Sequence, residues 1–182
     1  MKRWVKWFGA AGVVGAIALF VIPQAATSAL AVGAPAPDFT TRGAIAGKLF
    51  TVTLSEQLKK GPVVLYFFPA AFTPGCTAEA HEFAEATDEF KAAGATVIGM
   101  SADPVDKLAR FSKEACRDKF AVASAGPSIV KDYNVGLPVG GMTNRTSYVI
   151  APTGRIAYVH SAMSYKDHVK NTLAAVQSMQ AK

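Results

Sequence analysis

Within the run Thr73-Pro74-Gly75-Cys76-Thr77-Ala78-Glu79, a hydroxyl and a carboxyl stand three residues either side of a cysteine, and Pro69 lies four residues before Thr73. Cysteine is the strong nucleophile of the group, and it attacks as its thiolate rather than its thiol. Thr73 followed by Pro74 is a helix-start signal, a side-chain oxygen at the N-cap and a proline at the first helical position. Cys76 then takes the third helical position. There the unpaired amides of the first turn and the positive end of the helix dipole favour an anion, so the spacing expects a thiol that ionises readily.

The surrounding sequence supplies elements that would hold this turn. Residues 63–68, VVLYFF, form a continuous apolar run of β-formers, as expected of a central strand buried on both faces. From residue 74 to residue 93, Ala80, Phe83, Ala84, Thr87 and Phe90 recur at helical spacing and Gly94 supplies the stop. Residues 96–102, TVIGMSA, read as a strand, and Asp103 with Pro104 repeats the cap-plus-proline signal before a second helix carrying Leu108, Phe111 and Ala115. Upstream, residues 32–47 read as an extended segment with turns, and LFTVT at 49–53 as a short strand. Downstream, RTSYVIA and RIAYVH flank PTG as a hairpin, and residues 165–179 form a closing helix with Val169, Leu173 and Val176 on one face. A βαβ half followed by a hairpin and a helix is the layout of a thioredoxin-like fold: α/β, one domain, a central mixed β-sheet flanked by helices.

The first 31 residues belong to a different class. Lys2, Arg3 and Lys6 precede a charge-free run over residues 7–22, and Ala29 and Ala31 fit the small-residue cleavage rule. Residues 1–31 are therefore expected to be a signal peptide, with an uncleaved inner-membrane anchor as the alternative; Pro23 and the Ala/Ser-rich segment behind it favour cleavage. The leader holds no cysteine to carry a lipid anchor. The expected product is exported, to a bacterial periplasm, and makes no membrane contact once the leader is removed. Residues 32–182 are long enough for one domain with its own core. Three of the nineteen basic residues leave with the leader and all thirteen acidic ones remain, a mild excess of interspersed charge that gives nucleic-acid binding no support.

Cys76 and Cys116 are the two cysteines of the chain, a pair that in an oxidising compartment suits either a structural disulfide or a redox couple. His81, His160 and His168 show no metal-ligand spacing, so no metal is expected and each reads as a surface or edge histidine. Tyr66, on the strand before the loop, reads as a packing residue.

Pro69, Thr73 and Cys76 reproduce the PxxxTxxC motif of the peroxiredoxins, and YFFPAAFTPGCTAE resembles their bacterioferritin-comigratory, or PrxQ, branch. The similarity runs on through SADPVDKLARF and NRTSYVIAPTGRI. The resemblance implies that Cys76 attacks a peroxide, hydrogen peroxide or an organic hydroperoxide, to give a sulfenic acid. Thr73 would offer its hydroxyl to sulfur and peroxide, beyond a plain helix-cap role. Pro69, otherwise a strand terminator, would shield the thiolate from water. Arg145, by itself a surface arginine at a strand start, falls where the family carries its active-site arginine, and its charged fork suits a thiolate and a peroxide oxygen together. Glu79 matches the CTxE segment and would orient Arg145; taken alone it reads as a solvated partner of the helix dipole.

No metal, haem, flavin or other cofactor is implied, and the reductant would be a thioredoxin-like protein or another thiol. The chain departs from many members of the branch at His81, where they carry a resolving cysteine. Cys116 stays open as either the resolving residue or a buried core residue, and relatives imply a monomer. A CxxC disulfide reductase is excluded, because Thr73 and Glu79 occupy the positions a second cysteine would need. The remaining alternative is a non-enzymatic exported domain with a structural Cys76–Cys116 disulfide.

Overall fold

The computed structural model describes Met1, residues 29–138 and residues 140–181. The expected leader thus lies outside the described residues save Met1 and residues 29–31. Those last residues are not loose: Ala29 and Leu30 pack against the core, and the Leu30 amide donates to the Tyr148 hydroxyl at 3.1 Å. Cleavage after Ala31 would remove that bond.

Seven strands form one mixed sheet: β1 (Thr40–Ile45), β2 (Lys48–Thr53), β3 (Val63–Phe67), β4 (Thr96–Ser101), β5 (Ala121–Ser124), β6 (Thr146–Ile150) and β7 (Ile156–Ser161), in the order β2-β1-β5-β4-β3-β6-β7. The β3–β4 and β4–β5 pairs are parallel and the rest antiparallel. β3 is buried at every residue, as its unbroken run of β-branched and aromatic side chains requires. Its alternation feeds two cores: Val64 and Tyr66, with Phe68 just beyond, face one layer, and Val63, Leu65 and Phe67 the other.

The first layer holds α2 (Pro74–Glu85), α3 (Thr87–Ala92), α4 (Val105–Glu114) and α6 (His168–Gln180); the second holds α1 (Leu54–Leu58) and α5 (Pro127–Asp132). Tyr66 packs, as expected, with its ring stacked 4.2 Å from Phe83. Gly99 makes room for it, since a Cβ there would come within 2.9 Å of the Tyr66 ring. Each such buried aromatic side chain contributes roughly 1.5–3 kcal/mol of burial free energy.

The helix expected over residues 74–93 is divided at Ala86 (φ −83, ψ 0). Thr87 follows the break and its hydroxyl donates to the Phe83 carbonyl at 2.8 Å, a local bond of the kind that bends helices. Gly94 ends the second piece at φ +66, as expected. Asp103, in contrast, does not cap α4. Pro104 is the N-cap residue, with no side-chain bond, and the Asp103 carboxylate is engaged elsewhere. Residues 40–45, within the segment read as extended with turns, form β1, which hydrogen-bonds on both sides.

Candidate active site

Pro69 follows β3 half-buried and, lacking an amide hydrogen, halts its ladder. The loop that follows is tight. The Thr73 amide and hydroxyl both donate to the Ala70 carbonyl, at 3.4 and 3.0 Å, and the Ala71 amide donates to Asp103 Oδ2 at 2.6 Å. Between them Phe72 sits at φ +69, a region that residues with a Cβ seldom occupy. Its ring rests edge-on against Phe111 at 5.2 Å, with the Arg110 guanidinium 5.4 Å above it, and these contacts hold the strained residue in place.

Thr73 is the N-cap residue of α2, extended at φ −76 and ψ 149. Its hydroxyl, expected to bond a first-turn amide, makes no cap bond and turns back to Ala70, because the tight loop brings that carbonyl within reach. It stays exposed at the mouth of the site. Pro74 is at the first helical position, so Cys76 is the third residue of α2, as its spacing requires. Its side chain is sunk into the protein, 1% exposed.

Arg145 is carried to the sulfur by the chain just before β6, where the Ala162 amide donates to its carbonyl at 3.2 Å and extends the β6–β7 ladder. It is buried, and three of its nitrogens are engaged. Nη2 donates to Cys76 Sγ at 3.4 Å, Nη1 to Glu79 Oε2, and Nε to the Met163 carbonyl at 3.0 Å. A planar fork held at three points fixes one hydrogen on the sulfur, an arrangement a lysine could not copy. Gly75 lies beneath it: a Cβ there would meet Arg145 Nη2 at 3.5 Å and Tyr165 Cδ1 at 3.8 Å.

Glu79 is not a solvated dipole partner. It is fully buried, and burial, the largest influence, pushes its carboxyl up to about 8 against the attraction of Arg145. Oε1 has no hydrogen-bond partner and faces His168 Nδ1 at 3.7 Å. His168 was expected at the surface or an edge; it is fully buried at the start of α6. Burial takes its pKa down to about 4, and its ring is held by Ser147 Oγ at 2.8 Å and the Ala162 carbonyl at 3.0 Å.

The structure therefore brings Cys76, Glu79 and Arg145 together, sets Thr73 at the mouth and Pro69 at the head of the loop. Cys116 lies apart. It follows the end of α4, fully buried, and burial raises its thiol far above the ordinary range. Both thiols are free, so the reading of a structural bridge finds no support. A cleft of about 620 Å³ beside Pro127, Val130 and Met142 is lined by none of these side chains. Asp103 and His168 were not singled out from sequence as parts of the site. A cap-like position hid the first, and a lone histidine opening a helix gave no signal for the second.

Residues 32–159 match the AhpC/TSA family. Chloroplastic peroxiredoxin Q of Oryza sativa subsp. japonica is 34% identical over 149 residues, covering 81% of this chain and 67% of the relative. The crystal structure of peroxidoxin BcpB from Mycobacterium tuberculosis is similar at 33% identity and TM-score 0.72, covering 81% of this chain and 97% of that one. The reduced 2-Cys peroxiredoxin of Plasmodium vivax, at 24% identity and TM-score 0.74 over 82% of this chain and 96% of its own, shares the fold. The chain therefore belongs to the AhpC/TSA family and is a peroxiredoxin, a thiol-dependent peroxidase, with its relatives supporting the PrxQ branch.

Proposed function

We propose that Cys76 is the peroxide-reducing residue and that Arg145 is its electrostatic partner. The observation that carries this is the 3.4 Å contact from Arg145 Nη2 to Cys76 Sγ at the first turn of α2. The thiolate attacks the terminal peroxide oxygen, an S–O bond forms as the O–O bond breaks, and the leaving oxygen takes a proton to depart as water or an alcohol. Arg145 stabilises the charge that moves from sulfur to the leaving oxygen. Thr73, exposed at the mouth, offers its hydroxyl to the incoming peroxide once it lets go of Ala70, and Pro69 keeps the strand end dry beside it.

Reduction of the sulfenic acid falls to an external thiol, a thioredoxin-like protein or a smaller one. Cys116 is fully buried and burial opposes its ionisation, which leaves it poorly suited to attack the oxidised Cys76. The leader pattern supports export to a bacterial periplasm, and the motif resemblance to this branch implies a monomer working without cofactor.

Single-turnover reaction of the fully reduced protein with hydrogen peroxide, under a sulfenic-acid trap and read by mass spectrometry, tests the proposal. The expected product is one trapped sulfenic acid on Cys76. A Cys76 that remains a thiol sinks it.

A further inference from the structure

The small residues before Val32 mark Ala31 as the end of a leader, so the bond a signal peptidase would cut joins Ala31 to Val32. In the folded protein that bond opens a tight turn. The Ala34 amide donates to the Ala31 carbonyl at 3.1 Å, and Gly33 takes the third position of the turn at φ +88, a conformation that glycine adopts at little cost. A peptidase needs the opposite arrangement. Its substrate lies extended, adding a strand to the enzyme, and the scissile carbonyl turns to the donors that will stabilise the oxyanion. Here the carbonyl is already bonded and the backbone is bent.

Both sides of the turn are fastened. On the leader side, Ala29 and Leu30 pack against the core, and the Leu30 amide donates to the Tyr148 hydroxyl at 3.1 Å. Tyr148 is fully buried on β6, and its hydroxyl donates in turn to the Tyr133 carbonyl at 2.8 Å. That buried hydroxyl is thus satisfied both as donor and as acceptor, and what it accepts comes from the leader side of the cut. On the domain side the chain runs antiparallel beside the start of β7. The Gly33 amide donates to the Ile156 carbonyl at 2.8 Å, the Ile156 amide to the Ala34 carbonyl at 2.9 Å, and the Ala36 amide to the Gly154 carbonyl at 2.8 Å. Arg155 Nη1 adds a bond to the Gly33 carbonyl at 2.8 Å.

From this geometry we infer that the folded domain shields its own leader junction and keeps the leader attached, so that the protein works tethered to a lipid bilayer. Lys2, Arg3 and Lys6, with the uncharged stretch that runs from there to Asp38, supply the tether. The pattern of small residues favours cleavage, and the packing opposes it. Cutting after Ala31 requires the seat of Leu30 and the turn to open first. Cleavage and folding therefore compete for the same residues, and a domain that folds with the leader in place retains it. Tethering is independent of the chemistry at Cys76.

Full-length protein purified in detergent, treated with a bacterial signal peptidase beside a synthetic peptide spanning residues 20–40, tests this. Cutting after Ala31 is expected to be on the order of 10²-fold slower in the folded protein than in the peptide, the scale of breaking several hydrogen bonds together. Tyr148→Phe leaves the leader sequence untouched and is expected to speed cutting of the folded protein by about fivefold, the worth of one hydrogen bond. Arg155→Ala, at an exposed side chain, should speed it by about twofold to fivefold. In bacterial cells the wild-type chain is expected in the membrane fraction with an intact mass that includes residues 1–31. A chain beginning at Val32 in the soluble fraction overturns the inference. So does a folded protein cut as fast as the peptide, a peptide that resists as well as the folded protein does, or a pair of variants cut no faster than wild type.

Discussion

Thirty-two residues apart in the chain, the Ala71 amide donates 2.6 Å to Asp103 Oδ2 and so ties the loop before α2 to the loop before α4. Ser101 Oγ, at 2.9 Å, and Lys107 Nζ, at 2.7 Å, complete the carboxylate's shell. Asp103 thereby holds the turn in which Phe72 is strained and from which α2, with Cys76, departs.

Asp103→Asn is expected to lower stability by about 1–3 kcal/mol, the cost of losing hydrogen bonds to a charged group, and to slow the peroxide reaction as the loop loosens. Burial works against the Asp103 charge, yet the Lys107, Ala71 and Ser101 bonds outweigh it and hold the carboxyl below its usual range. A depressed folded pKa gives stability that is present above the unfolded value of about 3.8 and lost as pH falls through the lower folded one. Denaturant titrations from pH 7 downward should therefore show wild type losing this increment below pH 4. The gap to Asp103→Asn should narrow there, and a constant gap would contradict the role.

Much of this arrangement was legible in the sequence because it is local. Pro69, Thr73, Pro74 and Cys76 lie within eight residues of one another, and the buried strand before them declares itself by its run of Val, Leu, Tyr and Phe. What could not be read depends on contacts between distant segments. Glu79 reads as solvated until α6 and the chain before β6 fold over it. Asp103 sits beside a proline like a cap, and only the proximity of Ala71 diverts its carboxylate. β5 has four residues, two of them alanine, too short and too bland for a periodic signal, and it exists because β1 and β4 flank it.

Arg145→Lys is expected to reduce the single-turnover rate with hydrogen peroxide by on the order of 10²- to 10³-fold, the scale of losing one preorganised donor. An ammonium on a flexible stem cannot bond Met163, Glu79 and Cys76 from one plane. Stopped-flow measurement against wild type checks this, and a loss under threefold would show that the fork is dispensable.

Glu79→Gln should change how stability depends on pH. The Glu79 carboxyl is raised from 4.5 to about 8 by burial, so its folded state holds a proton that the unfolded chain releases first. Stability from this group is complete below the unfolded value and declines as pH climbs toward the folded one. Wild type is expected to lose stability between pH 5 and pH 8 by more than Glu79→Gln does, measured by guanidinium titration at both pH values. Equal losses would mean that Glu79 is ionised in the folded protein across that range.

Cys116→Ala separates the two fates of oxidised Cys76. The Cys116 thiol is buried and its ionisation is opposed by that burial, so it is poorly armed to attack a sulfenic acid. The turn that follows it is unusual: Arg117 and Asp118 both take positive φ, at 51 and 60 degrees, a local strain that could favour opening. With external reduction as the working cycle, the lifetime of the Cys76 sulfenic acid after one equivalent of peroxide should be the same in wild type and Cys116→Ala. No Cys76–Cys116 disulfide should accumulate in wild type. In both proteins a small thiol added after oxidation should return Cys76 to its reduced form at a rate proportional to its concentration. A sulfenic acid that persists only in Cys116→Ala, together with a disulfide in wild type, would instead make Cys116 the resolving residue. It would also mean that the strained turn at Arg117 and Asp118 opens during each cycle.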